Sequence, residues 1–120
     1  MIETDIAQEL SNKLGLVLGQ DIFVGSLPLD QDVGVFIKVL DEKEVFGSLR
    51  GVVIGIFVIK DNYAEARELA SQIRDVLAEH KGMTEASGYS SRGSVEIVNL
   101  DTNVEGNFVF CVTSYLDIGG

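Results

Sequence analysis

Residues able to do chemistry are few in this chain, and no two kinds stand together. The one histidine, His80, falls at the end of an amphipathic run. There a partly positive imidazole complements a helix dipole. The one cysteine, Cys111, sits inside the apolar run "FVFCVTSY", a setting that predicts a buried structural thiol rather than a reactive one. With a single cysteine, no intrachain disulfide can form. No Cys, His and Asp cluster has zinc spacing. Asp41, Glu42 and Glu44 in "DEKE" carry the charge to attract calcium but lack the glycine-containing loop and spaced ligands of a true site; a solvated turn is expected there. "GLVLGQD" has neither the Gly-x-Gly of a dinucleotide loop nor the Lys-Ser/Thr of a P-loop. Arg67 and Arg74 stand seven apart and share a helix face, where pairing with Asp or Glu is expected. Catalysis requires a nucleophile, an acid–base pair or a metal cluster. The expectation is a protein that is not an enzyme and needs no metal or cofactor.

Charge and hydropathy narrow the class further. The nine Lys and Arg are scattered and outnumbered by nineteen acids, for a formal net charge of −10. Such a chain repels nucleic acid and anionic membrane instead of gripping them. At 46% hydrophobic and 23% charged, the composition argues against disorder. Its 120 residues fit a single domain, residues 1–120, with a core that needs no staples. The start "MIETDIAQEL" is acidic and has no signal-peptide core. The longest apolar stretch, Val52–Ile59, is too short to span a bilayer as a helix. Synthesis and folding in a reducing cytoplasm are therefore expected.

These residues are positioned by seven elements. Ile6, Ala7, Leu10 and Leu14 recur at helical spacing, with Thr4 as the expected cap and Gly15 as the stop. A short strand follows at Ile22–Val24, then a loop from Gly25 to Asp32 holding Pro28. Val33–Leu40 alternates as a strand. Leu49–Lys60 is the strongest strand: Val52, Ile54, Ile56 and Val58 point one way, and Val53, Gly55, Phe57 and Ile59 the other. Both rows are apolar, so both must leave water. A second helix runs from about Tyr63 to His80, with Ala66, Leu69, Ala70, Ile73, Val76 and Leu77 as its buried stripe and Asn62 as its cap. Gly82 is expected to end it. "GMTEASGYSSRGS" reads as a long loop over Gly82–Ser94. Two last strands, Val95–Leu100 and Asn107–Tyr115, are joined by the turn "DTNVEG", and the tail "LDIGG" is expected to fray. The order α-β-β-β-α-β-β predicts an α+β domain: a mainly antiparallel sheet with two helices packed on one face. One helical layer covers only one row of the strong strand. The other row is met by a second sheet of the same domain or by a neighbouring subunit. A heterologous contact between copies closes into a ring if its rotation allows.

The segment order, with "DIFVGSLPLD", "VFIKVLDE", "RGVVIGIFVIKDNYAEARELASQIRDVL" and the closing "FVFCVTSYLDI", resembles the tail terminator (tail completion) and minor capsid proteins of long-tailed bacteriophages. The likeness covers nearly the whole chain and lies in pattern and order, since that family has no catalytic motif. The resemblance implies a virion protein: a ring, typically of six copies, on the head-proximal end of the tail tube. Such a ring caps the major tail tube protein, halts its polymerisation and offers a surface to the head-completion or connector protein. DNA passes through the lumen without specific binding, and no membrane is involved. For this chain, Phe57 and Ile59 are the candidate apolar subunit interface, with Arg50, Lys60 and Arg92 as candidate salt-bridge partners across it. The turn Asp41–Gly47 and the loop Gly82–Ser94 are candidate contacts to tube or connector, through Asp41, Glu42, Glu44, Met83, Tyr89 and Ser91. Other readings of the same features are another head–tail joining or neck protein, an oligomeric ligand-binding domain unrelated to phage, or a cytosolic scaffold.

Overall fold

A strand apolar on both sides belongs in the middle of a sheet, and the structure, a computed structural model, places it there. It describes residues 1–46, 49–79 and 89–118. The elements are α1 (Ile2–Leu14), β1 (Ile22–Val24), β2 (Gly34–Phe46), β3 (Leu49–Lys60), α2 (Tyr63–Ala78), β4 (Tyr89–Thr102) and β5 (Phe108–Ile118). The strands form one sheet in the order β1-β2-β3-β5-β4. Only β1 and β2 run parallel; the other three pairings are antiparallel. The α+β class and the order α-β-β-β-α-β-β are those the sequence predicts.

Both helices lie on the face built by the first row of β3. Val52, Ile54, Ile56 and Val58 are at most 2% exposed and cluster with Ile6 and Leu10 of α1, Ala66, Ala70 and Ile73 of α2, and Val112 and Leu116 of β5. Large side chains buried to this degree contribute about 1.5–3 kcal/mol each. The cap on α2 is as expected: the Glu65 amide donates to Asn62 Oδ1 at 3.0 Å. That bond satisfies one of the donors a helix start leaves open. Lys13 Nζ donates to Glu79 Oε2 at 2.9 Å and so joins the C-terminal ends of the two helices.

Five boundaries differ from the sequence reading. Helix α1 begins at Ile2 with Met1 as its cap, so Thr4 lies inside it; Ile2 packs against the core and extends the apolar stripe by a turn. Helix α2 ends at Ala78, with Glu79 as its C-cap, ahead of Gly82; His80 and Gly82 lie outside the described residues. "DEKE" is strand, not turn: Asp41, Glu42, Lys43 and Glu44 pair with Val53, Val52, Gly51 and Arg50 of β3. Charged side chains do not prevent pairing where a long partner strand satisfies the backbone. β4 begins at Tyr89 instead of Val95, because β5 continues to Ile118 and offers residues 115–118 as partners. The same continuation makes Leu116 fully buried, so the expected frayed tail is strand as far as Ile118.

Candidate functional site

The sheet face opposite the helices carries the second row of β3. Val53, Phe57 and Ile59 are each half-buried. Phe57 pairs directly with Phe36 of β2, and their rings stack with centroids 4.7 Å apart and planes 10° apart. Two glycines of β3 serve as notches for larger neighbours. A Cβ on Gly55 would come 2.8 Å from Leu40 Cδ1, and one on Gly51 would overlap the Tyr115 ring. Leu40 and Tyr115 therefore lie flat across the strand instead of standing away from it. Leu40 follows Phe36 and Lys38 onto this face by alternation, and the bulge between Val39 and Asp41 leaves it without a direct partner on β3 and brings Asp41, opposite Val53, onto the same face.

Coverage of this face is uneven. In cross-strand register Cys111 lies between Phe57 and Val98, and it is only 4% exposed. Burial pushes its thiol above the usual range, opposed by a backbone hydrogen bond with Ile56. Toward the rim, Leu40 and Val98 are 45% and 41% exposed, and Lys38 and Glu96 are open to solvent. At one end Phe36 and Ile59 sit in a depression of about 200 Å³ framed by Leu27, Gln31 and Asp32 of the β1–β2 loop and by Asn103 and Glu105 of the β4–β5 turn. Asn107 Nδ2 donates to the Asp32 carbonyl at 3.3 Å and ties these two segments together. The chain thus shelters Ile59 in part with its own loops, and leaves the middle of the face to side chains alone.

The other nominated residues fall elsewhere. Lys60 lies at the end of β3 beside Ala64, Glu65, Glu68, Leu69 and Gln72, on the helix side and away from Phe57. Arg50 stands opposite Glu44 on one flank and Ile118 on the other. Glu42 is level with Val52, Leu116 and Ser91; Asp41 is level with Val53, Tyr115 and Arg92; Tyr89 is level with Ile118. Seven of the nominated residues, from three separate segments, therefore meet in a few rows at one end of the sheet. Asp41 and Glu42 are exposed there. Because 41–44 and 89–94 are strand, these positions are not the loop contacts the sequence suggests. Met83 lies outside the described residues.

One grouping was not assembled from the sequence. Tyr63, Arg67, Ser71 and Arg74 of α2 line a groove of about 380 Å³ against Ile97 and Asn99 of β4, with Phe110 beneath. Their spacing of four, four and three residues was the available signal; what it lacked was the strand opposite. Among the described residues, no group of three or more His, Cys, Asp or Glu could hold a metal, and no helix is long and apolar enough to cross a membrane. The arrangement offers apolar and charged recognition surfaces.

No protein-family model matches the chain, and no curated protein matches it in sequence. Solved structures do share its fold. One, bearing no functional name, superposes with a TM-score of 0.63 at 10% identity, over 98% of this chain and 90% of its own. Another is a chain of the virion of a native gene transfer agent (GTA) particle. It superposes with a TM-score of 0.55 at 13% identity, over 99% of this chain and 95% of its own. At such identities the likeness is one of fold.

Proposed function

We propose that this chain is a virion structural protein of a tailed phage or phage-like particle. It assembles as a ring, six copies in the family it resembles, at the head-proximal end of the tail tube. There it stops tube growth and presents the surface that the head connector joins. The observation that carries the reading is the open sheet face: β3 is apolar on both sides, and the helices cover one. Contiguous apolar surface of this kind marks an association site, and its apolar middle with a polar rim of Lys38 and Glu96 has the anatomy of an interface. The likeness in fold to a chain of a gene transfer agent virion, over nearly the full length of both, supports a virion role.

In this reading the protein catalyses nothing and carries no cofactor. Its partners are further copies of itself, the major tail tube protein and the head-completion protein. It acts in the virion, at the head–tail junction, after synthesis in the host cytoplasm. DNA crosses the lumen unheld, since the acid excess repels phosphate. The test is deletion of the gene in the parent phage, with the particles viewed by negative stain. Overlong tubes and unjoined heads are the expected products. Tails of normal length would refute the role.

A further inference from the structure

We propose that the pole of the sheet formed by the β1–β2 loop and the β4–β5 turn docks onto the head connector, with Leu29 and Val104 entering an apolar socket rimmed by Lys and Arg. This rests on the ring reading above and adds which end of each copy meets the head. Leu29 and Val104 are the two most exposed large apolar residues among those described, each 98% or more open to solvent. Neither belongs to the core, so neither is there for stability. Single exposed apolar residues need no explanation, but these two stand on segments built to hold them out. In the β1–β2 loop Leu27 packs against Gly34, and the Gln31 amide donates to the Pro28 carbonyl at 3.0 Å. Gln31 Nε2 donates to the Gln20 and Val33 carbonyls at 3.0 and 2.8 Å. In the β4–β5 turn Asn103 Oδ1 accepts from the Glu105 and Asn107 amides at 3.2 and 3.0 Å. The Asn107–Asp32 bond joins the two segments around the depression that holds Phe36 and Ile59. Two apolar tips on fastened backbone thus flank an apolar floor. Such tips bind without the ordering cost that a loose loop meets.

Charge identifies the occupant. Residues 14–37 and 93–120 contain no Lys or Arg. The tips stand among Asp30, Asp32, Asp101 and Glu105, all exposed. None of these four acids has a basic partner among the described residues. Lys60 ends β3 at this pole but lies on the helix side, beside Glu65 and Glu68. An apolar centre with an acidic rim fits a socket with a basic rim. The rim repels DNA and anionic membrane. It also disfavours a second copy, whose nine bases are scattered and outnumbered by nineteen acids. The strands place the pole within the ring. β2 and β4 each have one end here and the other at the rows where Asp41, Glu42, Ser91 and Tyr89 gather. β4 runs 14 residues between the two poles, about 40 Å at ordinary strand rise. Copies that meet side by side through the open sheet face leave both poles free. With the strand-end rows turned to the tube, the loop pole points to the head.

The test is a phage carrying Leu29→Ser with Val104→Ser, its particles viewed by negative stain and its purified chain followed by urea denaturation. Expected are tubes of wild-type length, an unchanged urea midpoint, and a yield of joined particles lower by about tenfold or more, the scale of losing anchor residues. Asp30→Lys with Glu105→Lys tests the rim by itself and is expected to lower joining likewise. Should the serine variant lose stability, the rim variant decides, because both groups it replaces lie in water. Joined particles at wild-type yield overturn the inference and leave the ring reading standing. Overlong tubes from the serine variant also overturn it, since they place this pole on the tube. A rim variant that joins normally overturns the basic socket. Deletion of the gene with tail length and joining unchanged removes the ring reading and this surface together.

Discussion

Adjacent residues of β3 give the sharpest test of the two-faced strand. Ile56 is 0% exposed in the helix-side core. Replacing it with Asp loses about 2–5 kcal/mol of packing. Enclosing a carboxylate among apolar side chains costs several kcal/mol more. Together these reach the whole stability of an ordinary domain, about 5–15 kcal/mol. Phe57 is half-buried on the other face. Phe57→Asp loses the stack on Phe36, about 0.5–1.5 kcal/mol, and about half the burial of a large side chain, another 1 kcal/mol or so. Its carboxylate stays wet. The expected loss is about 2–3 kcal/mol, which a domain of this size survives. Urea denaturation followed by circular dichroism should show no cooperative transition for Ile56→Asp. Phe57→Asp should keep one, at a lower midpoint, and sedimentation should find it monomeric under conditions where the wild type associates. If Phe57→Asp unfolds as fully as Ile56→Asp, both faces are closed within one chain and the assembly surface lies elsewhere. If it folds and still associates, the open face is not where copies meet.

Three further outcomes follow from local geometry. Gly51→Val should cost about 1–3 kcal/mol in urea midpoint, the usual scale for overpacking, because a side chain there collides with the Tyr115 ring; Tyr115→Ala in the same chain should recover part of it. Asn62→Ala removes the acceptor for the Glu65 amide and should lower stability by about 1 kcal/mol, read as a fall in Tm, with Asn62→Asp close to neutral. Cys111 should react slowly with a thiol reagent near neutral pH and at full rate in urea, since burial raises its pKa in the folded state. The linkage sign follows: above the unfolded thiol pKa the folded chain holds more protons than the unfolded one, so stability should fall as pH rises past about 8.5. Cys111→Ala should flatten that part of the profile.

The sequence was most legible where one physical requirement acted alone. The two rows of β3, the apolar stripe of α2 and the Asn62 cap each follow from a local rule, and each is found where that rule puts it. The turn at 41–44 and the 89–94 part of the expected loop were misread for one shared reason; residues 82–88 of that loop lie outside the described residues. "DEKE" and "YSSRGS" are polar and poor in strand formers, and periodicity assigns such runs to loops. In the fold they pair with residues 50–53 and 115–118, and pairing overrides weak propensity. For "YSSRGS" the partner was itself hidden, because "LDI" at 116–118 read as tail. A long-range pairing between two weak segments leaves no mark on either one. The Arg67–Arg74 groove was half visible for the same reason: its helical wall has a period, but its strand wall is known only once β4 is placed.

That misreading bears on mechanism. Loop contacts that order on assembly would have to overcome conformational entropy at the moment of binding, about 1–2 kcal/mol for each residue fixed. Asp41, Glu42, Tyr89, Ser91 and Arg92 instead sit on strands already paired along their length, so folding has met that cost beforehand. Preorganised surfaces bind more tightly for the same contact area, and a ring that must halt a growing tube gains from it, because its competitor is the next ring of tube protein. The proposed cap therefore binds best if the strand end is rigid. A substitution that unpairs it without touching its charges should weaken capping while leaving the core intact. Leu116→Gly is unsuitable, since Leu116 is buried in that core. Ser91→Pro is the better probe: it removes a backbone donor from a strand whose partner there is Leu116 and alters no charge. The expected result is longer tubes from a protein whose urea midpoint moves little. Tubes of wild-type length would mean that the paired strand end takes no part in stopping growth.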